Sequence, residues 1–290
     1  FQMADPFLYN TGERSGYGCL GHEVQIEHIK AYVCRPSYFT DKAVIVIHDI
    51  FGWMFPDIRY IVDLIAGHGY ITICPDFFKG TDPWKTTDHW HDFADWMKEH
   101  DPVKVDRSLS SLLFICLREA DVVLKYLKEQ CDAKKIGIVG FSWGGMAVHH
   151  LMLKNPQLSA GVSLYGSVQH MKTYTGLHQI FHSSCKNDDL TNVLFLKCII
   201  GIIRDSEERY DLLNPTFFIF GEKDHTISYD QITLLDEKLK QYCKVPYKIK
   251  VYPGQVHGFA QLKPEDMKPV DKPYIEEARK DMIDWIKTFI

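Results

Sequence analysis

Short apolar runs alternate along this chain with longer stretches in which apolar positions recur every three or four residues. The clearest short run is Ala43-Val44-Ile45-Val46-Ile47, unbroken by any polar side chain, as expected of a strand buried on both faces. Tyr70–Cys74, Lys135–Val139, Ala160–Tyr165, Thr216–Phe220 and Tyr247–Tyr252 read as further strands. Helical spacing predicts helices over Asp57–Ala66, Val122–Glu129, Gly144–Lys154, Tyr229–Gln241 and Pro273–Ile290. Residues Glu23–Val33 alternate enough to predict antiparallel strands at one edge. Strand and helix alternating in this way predict an α/β fold, a mostly parallel central sheet with helices on both faces. With no internal repeat and no low-complexity linker, residues 1–290 are expected to form one domain.

Composition narrows the partners. The 33 basic and 38 acidic residues leave a formal charge of −5 and no run of Lys and Arg, so neither nucleic acid nor an anionic membrane is an expected partner. The longest apolar run, Val193 to Ile203, is interrupted by Lys197 and too short to span a bilayer. The opening Phe1-Gln2-Met3-Ala4-Asp5-Pro6 does not read as a secretory signal, although the missing initiator Met is compatible with a trimmed end. Cysteines 19, 34, 74, 116, 131, 185, 198 and 243 form no Cys-x-x-Cys pair. They read as reduced, mostly buried thiols of a cytosolic protein.

The chemistry gathers where strands end, at the carboxyl edge of the sheet. Lys135–Val139 runs into Gly140-Phe141-Ser142-Trp143-Gly144-Gly145 and then into a helical pattern. This strand, Gly-x-Ser-x-Gly, helix order suits a nucleophile on a sharp turn, with small residues two positions to either side. Two further strands end in Gly221-Glu222-Lys223-Asp224-His225 and in Gln255-Val256-His257-Gly258. Ser142 needs a base to accept its proton, an imidazole such as that of His257 can serve as one, and a carboxylate on its other nitrogen fixes the tautomer. Asp224 is preferred to Glu222 because the acid in such folds follows its strand by several residues. His149 and His150 are expected to pack behind the nucleophile or face solvent, and His225 has no assigned task. His89, His91 and Asp92 are spaced on a predicted helix so that they face different ways, and no metal is expected.

Ile47-His48-Asp49-Ile50-Phe51-Gly52, Pro75-Asp76-Phe77-Phe78, Gly140–Gly145 and Val256-His257-Gly258-Phe259 together resemble the dienelactone hydrolase family. The resemblance covers most of the chain and implies the α/β-hydrolase fold, in which nucleophile, acid and base follow in the chain order Ser142, Asp224, His257. It implies a cytosolic enzyme acting on small-molecule esters and lactones without cofactor or metal, and a monomer is expected. It further implies that Asp49 neighbours the resting nucleophile and that the backbone N–H groups of Ile50 and Trp143 form an oxyanion hole.

The chain also departs from the family. Cys usually stands where Ser142 is, and an alcohol depends on its base more than a thiol does. Arginines that hold a lactone carboxylate in bacterial members fall at Gly80 and Gln261, with Lys79 and Lys263 nearby. A broader ester or lactone range is therefore expected, with Trp53, Phe78 and Trp84 as candidate apolar lining or ordinary core. Residues 108–118 and 167–201 read as inserts. The longer is a lid over the pocket or, preferably, a poorly ordered excursion introduced by a splice or gene-model variant. Two other functions fit the same features: a thioesterase on the same triad, or a catalytically silenced ligand-binding member of the family.

Overall fold

The computed structural model describes residues 20–85, 87–89, 92–100, 115–166 and 210–290. Eight strands form one sheet in the order β1-β2-β4-β3-β5-β6-β7-β8. They are β1 (His22–Ile26), β2 (Ile29–Cys34), β3 (Lys42–Ile47), β4 (Ile71–Pro75), β5 (Lys135–Phe141), β6 (Ala160–Leu164), β7 (Thr216–Gly221) and β8 (Tyr247–Tyr252). As the alternation at Glu23–Val33 suggested, β1 and β2 are antiparallel and β2 pairs antiparallel with β4. All other neighbours pair in parallel.

The helices are α1 (Pro56–Gly67), α2 (Phe93–Glu99), α3 (Ile115–Cys131), α4 (Trp143–Lys154), α5 (Tyr229–Tyr242) and α6 (Lys272–Phe289). Local chemistry fixes several starts. Proline opens α1 and α6, where its missing N–H removes no helical bond, and the Ser228 hydroxyl accepts from the Gln231 N–H to cap α5. Helix α2 was not foreseen from the periodicity. Helix α3 begins at Ile115, inside the 108–118 segment set apart as an insert; the rest of that segment and all of 167–201 lie outside the described residues.

Two apolar layers sandwich the sheet, and β3 shows why its run had to be unbroken. Ala43, Ile45 and Ile47 point into a layer with Val123, Leu124 and Leu127 of α3, Val148 and Leu151 of α4, and Leu235 and Leu239 of α5. Val44 and Val46 point the other way, onto Ile58, Ile61 and Ile65 of α1 and Ile275, Met282 and Ile286 of α6. All five strand residues are fully buried, each aliphatic side chain contributing about 1.5–3 kcal/mol by leaving water. Cys34, Cys74 and Cys131 are buried free thiols. Burial pushes Cys34 up to about 12 and Cys74 well above the usual range, so those two are inert packing residues.

Helix α4 approaches the sheet more closely than any Cβ would allow. A Cβ on Gly144 would meet the carbonyl oxygens of Ile47 and His48, and one on Gly145 would meet that of Leu164. Backbone atoms cannot swing aside as a flexible side chain can, so Gly144→Ala is expected to cost about 3 kcal/mol in urea-induced unfolding. A loss below ~1 kcal/mol would show that this approach is looser than described.

Candidate active site

Ser142 sits between β5 and α4 with φ 53° and ψ −110°, a left-handed backbone conformation that costs an L-residue about 1–3 kcal/mol. Its N–H donates to Leu164 O at 2.9 Å and its own carbonyl accepts from Met146 N at 3.1 Å, which fixes the turn between β6 and the first turn of α4. The hydroxyl projects from this turn and meets His257 Nε2 at 2.8 Å. On the other side of the ring, His257 Nδ1 lies 2.8 Å from Asp224 Oδ2.

The Asp224 carboxylate is held by its own loop. Its Oδ1 accepts from the N–H groups of Thr226 at 2.7 Å and Ile227 at 3.0 Å. Since a carboxylate only accepts, the proton on His257 Nδ1 points to Asp224, and Nε2 is left to accept the Ser142 hydroxyl proton. The alternative acid, Glu222, is turned away, its Oε2 accepting from Gly254 N at 2.8 Å at an exposed position.

Trp143 opens α4, so its N–H has no acceptor within the helix. The loop of the second candidate donor, Ile50, is braced from several sides. Its carbonyl accepts from Trp84 N at 2.9 Å, and His48 ties the loop to the end of β4 through Phe77 N, which donates to His48 Nε2 at 3.2 Å. His48 Nδ1 donates to Asp49 O at 2.8 Å. Burial pushes the His48 imidazole down to about 4, so near neutrality it is an uncharged strut, stacked 5.7 Å from the Trp143 ring.

Asp49 lies in the same buried cluster. Its Oδ1 accepts from Phe51 N at 2.9 Å and its Oδ2 from Gln261 Nε2 at 2.7 Å, while the Ser142 hydroxyl is engaged by His257. The three aromatics considered as pocket lining are buried in packed surroundings: Trp53 beneath the Arg59 guanidinium, Phe78 edge-on to Trp143 and His48, and Trp84 against Phe93 and Trp96.

At the positions where bacterial relatives carry arginine, Gly80 is a left-handed turn with φ 76° and Gln261 is a buried bridge. Lys79 pairs with buried Glu119, and Lys263 is buried beside Glu265 at 3.0 Å, so both nearby cations already face carboxylates. His149 and His150 are buried, the former against the Tyr210 and Phe218 rings. His225 is exposed. The helix expected to carry His89 and Asp92 starts only at Phe93; His89 lies in the preceding turn, and His91 is outside the described residues. Among the described residues no group of three His, Cys, Asp or Glu side chains could hold a metal ion, and no helix is long and apolar enough to cross a membrane.

Periodicity and motif could not have found Tyr165 or the role of Gln261. Tyr165 follows β6 at φ 39° and its ring lies 5.0 Å from that of His257; its place at a strand end was the one available signal.

Fold and site together define an α/β-hydrolase fold with Ser, His and Asp converging at the carboxyl edge of its sheet. Residues 29–290 match the dienelactone hydrolase family model, and the chain belongs to that family. It is 48% identical over 287 residues to a carboxymethylenebutenolidase homolog of Xenopus tropicalis, covering 99% of this chain and 98% of that one. With the human carboxymethylenebutenolidase homolog it shares 46% identity over the same coverage. Among solved structures, a Klebsiella pneumoniae protein described as a dienelactone hydrolase superposes with a TM-score of 0.65 at 23% identity, covering 93% of this chain and 99% of that one. The Pyrococcus furiosus esterase Pf2001 does so with a TM-score of 0.58 at 16% identity, covering 93% and 92%.

Burial raises the Asp49 carboxyl from 3.8 to about 6, the donors Gln261 and Phe51 offsetting part of the rise. The fold thus retains a proton that the unfolded chain releases. Stability from this group is complete below about pH 4 and declines as pH rises through 6, by roughly 3 kcal/mol in all. An Asn at this position can still accept from Phe51 while the Gln261 amide turns over to accept from it. The stability of Asp49→Asn relative to the parent, measured by urea unfolding, should therefore rise between pH 4 and pH 7. A difference independent of pH would contradict this assignment.

Proposed function

We propose that this protein hydrolyses carboxylic esters or lactones through a covalent acyl-enzyme formed on Ser142. The observation that carries the reading is the unbroken relay from Ser142 Oγ through His257 to Asp224, with both contacts at 2.8 Å, assembled from loops after three different strands. In the first half-reaction His257 Nε2 takes the hydroxyl proton as Ser142 Oγ attacks the carbonyl carbon. Asp224 steadies the resulting imidazolium, and the N–H groups of Ile50 and Trp143 receive the oxyanion. Collapse expels the alcohol, which takes its proton from His257. In the second, water attacks the acyl-enzyme while His257 accepts its proton, and Ser142 leaves as the free alcohol with release of the acid. A lactone differs only in that the alcohol remains tethered to the acyl group.

Family membership supports ester and lactone substrates, as do the curated relatives named for butenolide hydrolysis and the esterases of similar fold. With Gln261 and Gly80 where arginines would grip a carboxylate, uncharged esters and lactones fit better than the acidic dienelactone. On the same reading the enzyme is cytosolic and works as a monomer without metal or cofactor.

The decisive experiment pairs a fluorophosphonate probe with turnover of small aryl esters and lactones. The parent should be labelled and active. Ser142→Ala should lose labelling, and Ser142→Ala and His257→Ala should each lose at least about 10³-fold in kcat. Asp224→Asn, which reverses the tautomer of His257, should lose on the order of 10⁴-fold. An inert, unlabelled parent whose Ser142→Cys variant turns over would instead mark a site shaped for sulfur and silenced by oxygen.

A further inference from the structure

Strands β3 and β8, whose following loops carry Ile50 and His257, are separated in the sheet by β5, β6 and β7. No backbone ladder sets one loop against the other. The side chain of Gln261 spans the gap: Gln261 Nε2 donates to Asp49 Oδ2 at 2.7 Å, while Gln261 Oε1 accepts from the Tyr165 hydroxyl at 3.0 Å. Through its other oxygen Asp49 holds the N–H of Phe51, the residue after Ile50. Tyr165, from the loop after β6, packs its ring 5.0 Å from His257. Gln261 is anchored from behind as well, because buried Arg279 donates through Nε to Ala260 O at 2.8 Å and through Nη2 to Leu262 O.

We propose that Gln261 is a positioning residue for the hydrolysis, tying the loop of the oxyanion donor Ile50 to the loop of the base His257 through one buried amide. The inference rests on the ester-hydrolase reading of the site. Its chemistry is specific to a carboxamide, because one end of the side chain faces a hydroxyl donor and the other an acceptor-only carboxylate. Methionine matches the length and offers neither bond. An ionised glutamate would set two carboxylates against each other, whereas a protonated one restores both bonds, its O–H donating to Asp49 and its carbonyl accepting from Tyr165. Titratable groups that face Asp49 and Arg279 on either side of this amide include Asp57, His257, Tyr60, Tyr165 and Glu276.

A tie that orients groups used in the transition state acts on kcat, since small misplacements of reacting groups are costly while ground-state binding is little affected. The test is steady-state kinetics on an aryl ester from about pH 6 to about pH 9, with melting temperatures and fluorophosphonate labelling, for the parent, Gln261→Met and Gln261→Glu. Gln261→Met should lose about 10- to 100-fold in kcat with KM within about twofold of the parent. The ratio of Gln261→Glu to parent kcat/KM should be near one at the acid end and fall as pH rises, a proton-dependent rescue that loss of packing alone cannot produce. If Gln261→Met does not fold, that ratio decides. In an active parent, unchanged kcat, an effect confined to KM, or a ratio independent of pH would overturn the role of Gln261 and leave the hydrolase reading standing. A parent neither labelled nor active would overturn both.

Discussion

The reversal of the chain at Ser142 is the constraint to which the rest of the site is fitted. Strand β5 ends and α4 begins with no spacer between them, so one residue must adopt a positive φ and its flanking glycines must let backbones touch. The local cost is of the order of 1–3 kcal/mol and is offset by α4, which is buried along most of its length. In return the hydroxyl stands clear of the sheet, and the N–H of Trp143 comes to lie at the helix start. A helix start is where partial positive charge is concentrated, and the proposed reaction would develop its oxyanion there.

Parallel pairing does the remaining large-scale work. Strands β3 to β8 all deliver their following loops to the same edge, so Asp49, Ser142, Tyr165, Asp224 and His257 meet although they are far apart in the chain. The sheet alone positions them only to within the slack of their loops. Side chains remove that slack: His48 ties the β3 loop to the β4 loop, Asp224 gathers its own loop's N–H groups, and Gln261 crosses from the β8 loop to that of β3. These groups are buried, so each polar contact is strengthened by the low local dielectric and each omission would be correspondingly costly.

In the proposed mechanism, an oxygen nucleophile makes the orientation of His257 more important than it would be for sulfur. An alcohol gives up its proton only as it attacks, so the base must already be in line and in the right tautomer. The arrangement seen here meets that demand, with Asp224 held by three donors and His257 presenting Nε2 to the Ser142 hydroxyl.

Much of this was legible in the sequence because hydrophobic burial and backbone geometry are local in their demands. The unbroken run at Ala43–Ile47 announced a strand covered on both faces, and Gly-x-Ser-x-Gly between strand and helix announced the turn at Ser142. Asp224 and His257 could be picked out because each follows a strand whose apolar pattern is plain. Helix α2 was missed, and the helix thought to carry His89 and Asp92 begins only after them, because a short helix is stabilised by what it packs against more than by its own periodicity. Gln261 was read only as the place of a missing arginine, and Tyr165 only as the end of a strand. Which hydroxyl, amide and carboxylate meet is set by the approach of loops from non-adjacent strands, and that approach is decided when the sheet closes its packing on both faces. The sequence by itself determined the fold class and the chemical identity of the candidate triad; the tertiary structure alone decided how its loops are held together, since no single segment contains both ends of those contacts.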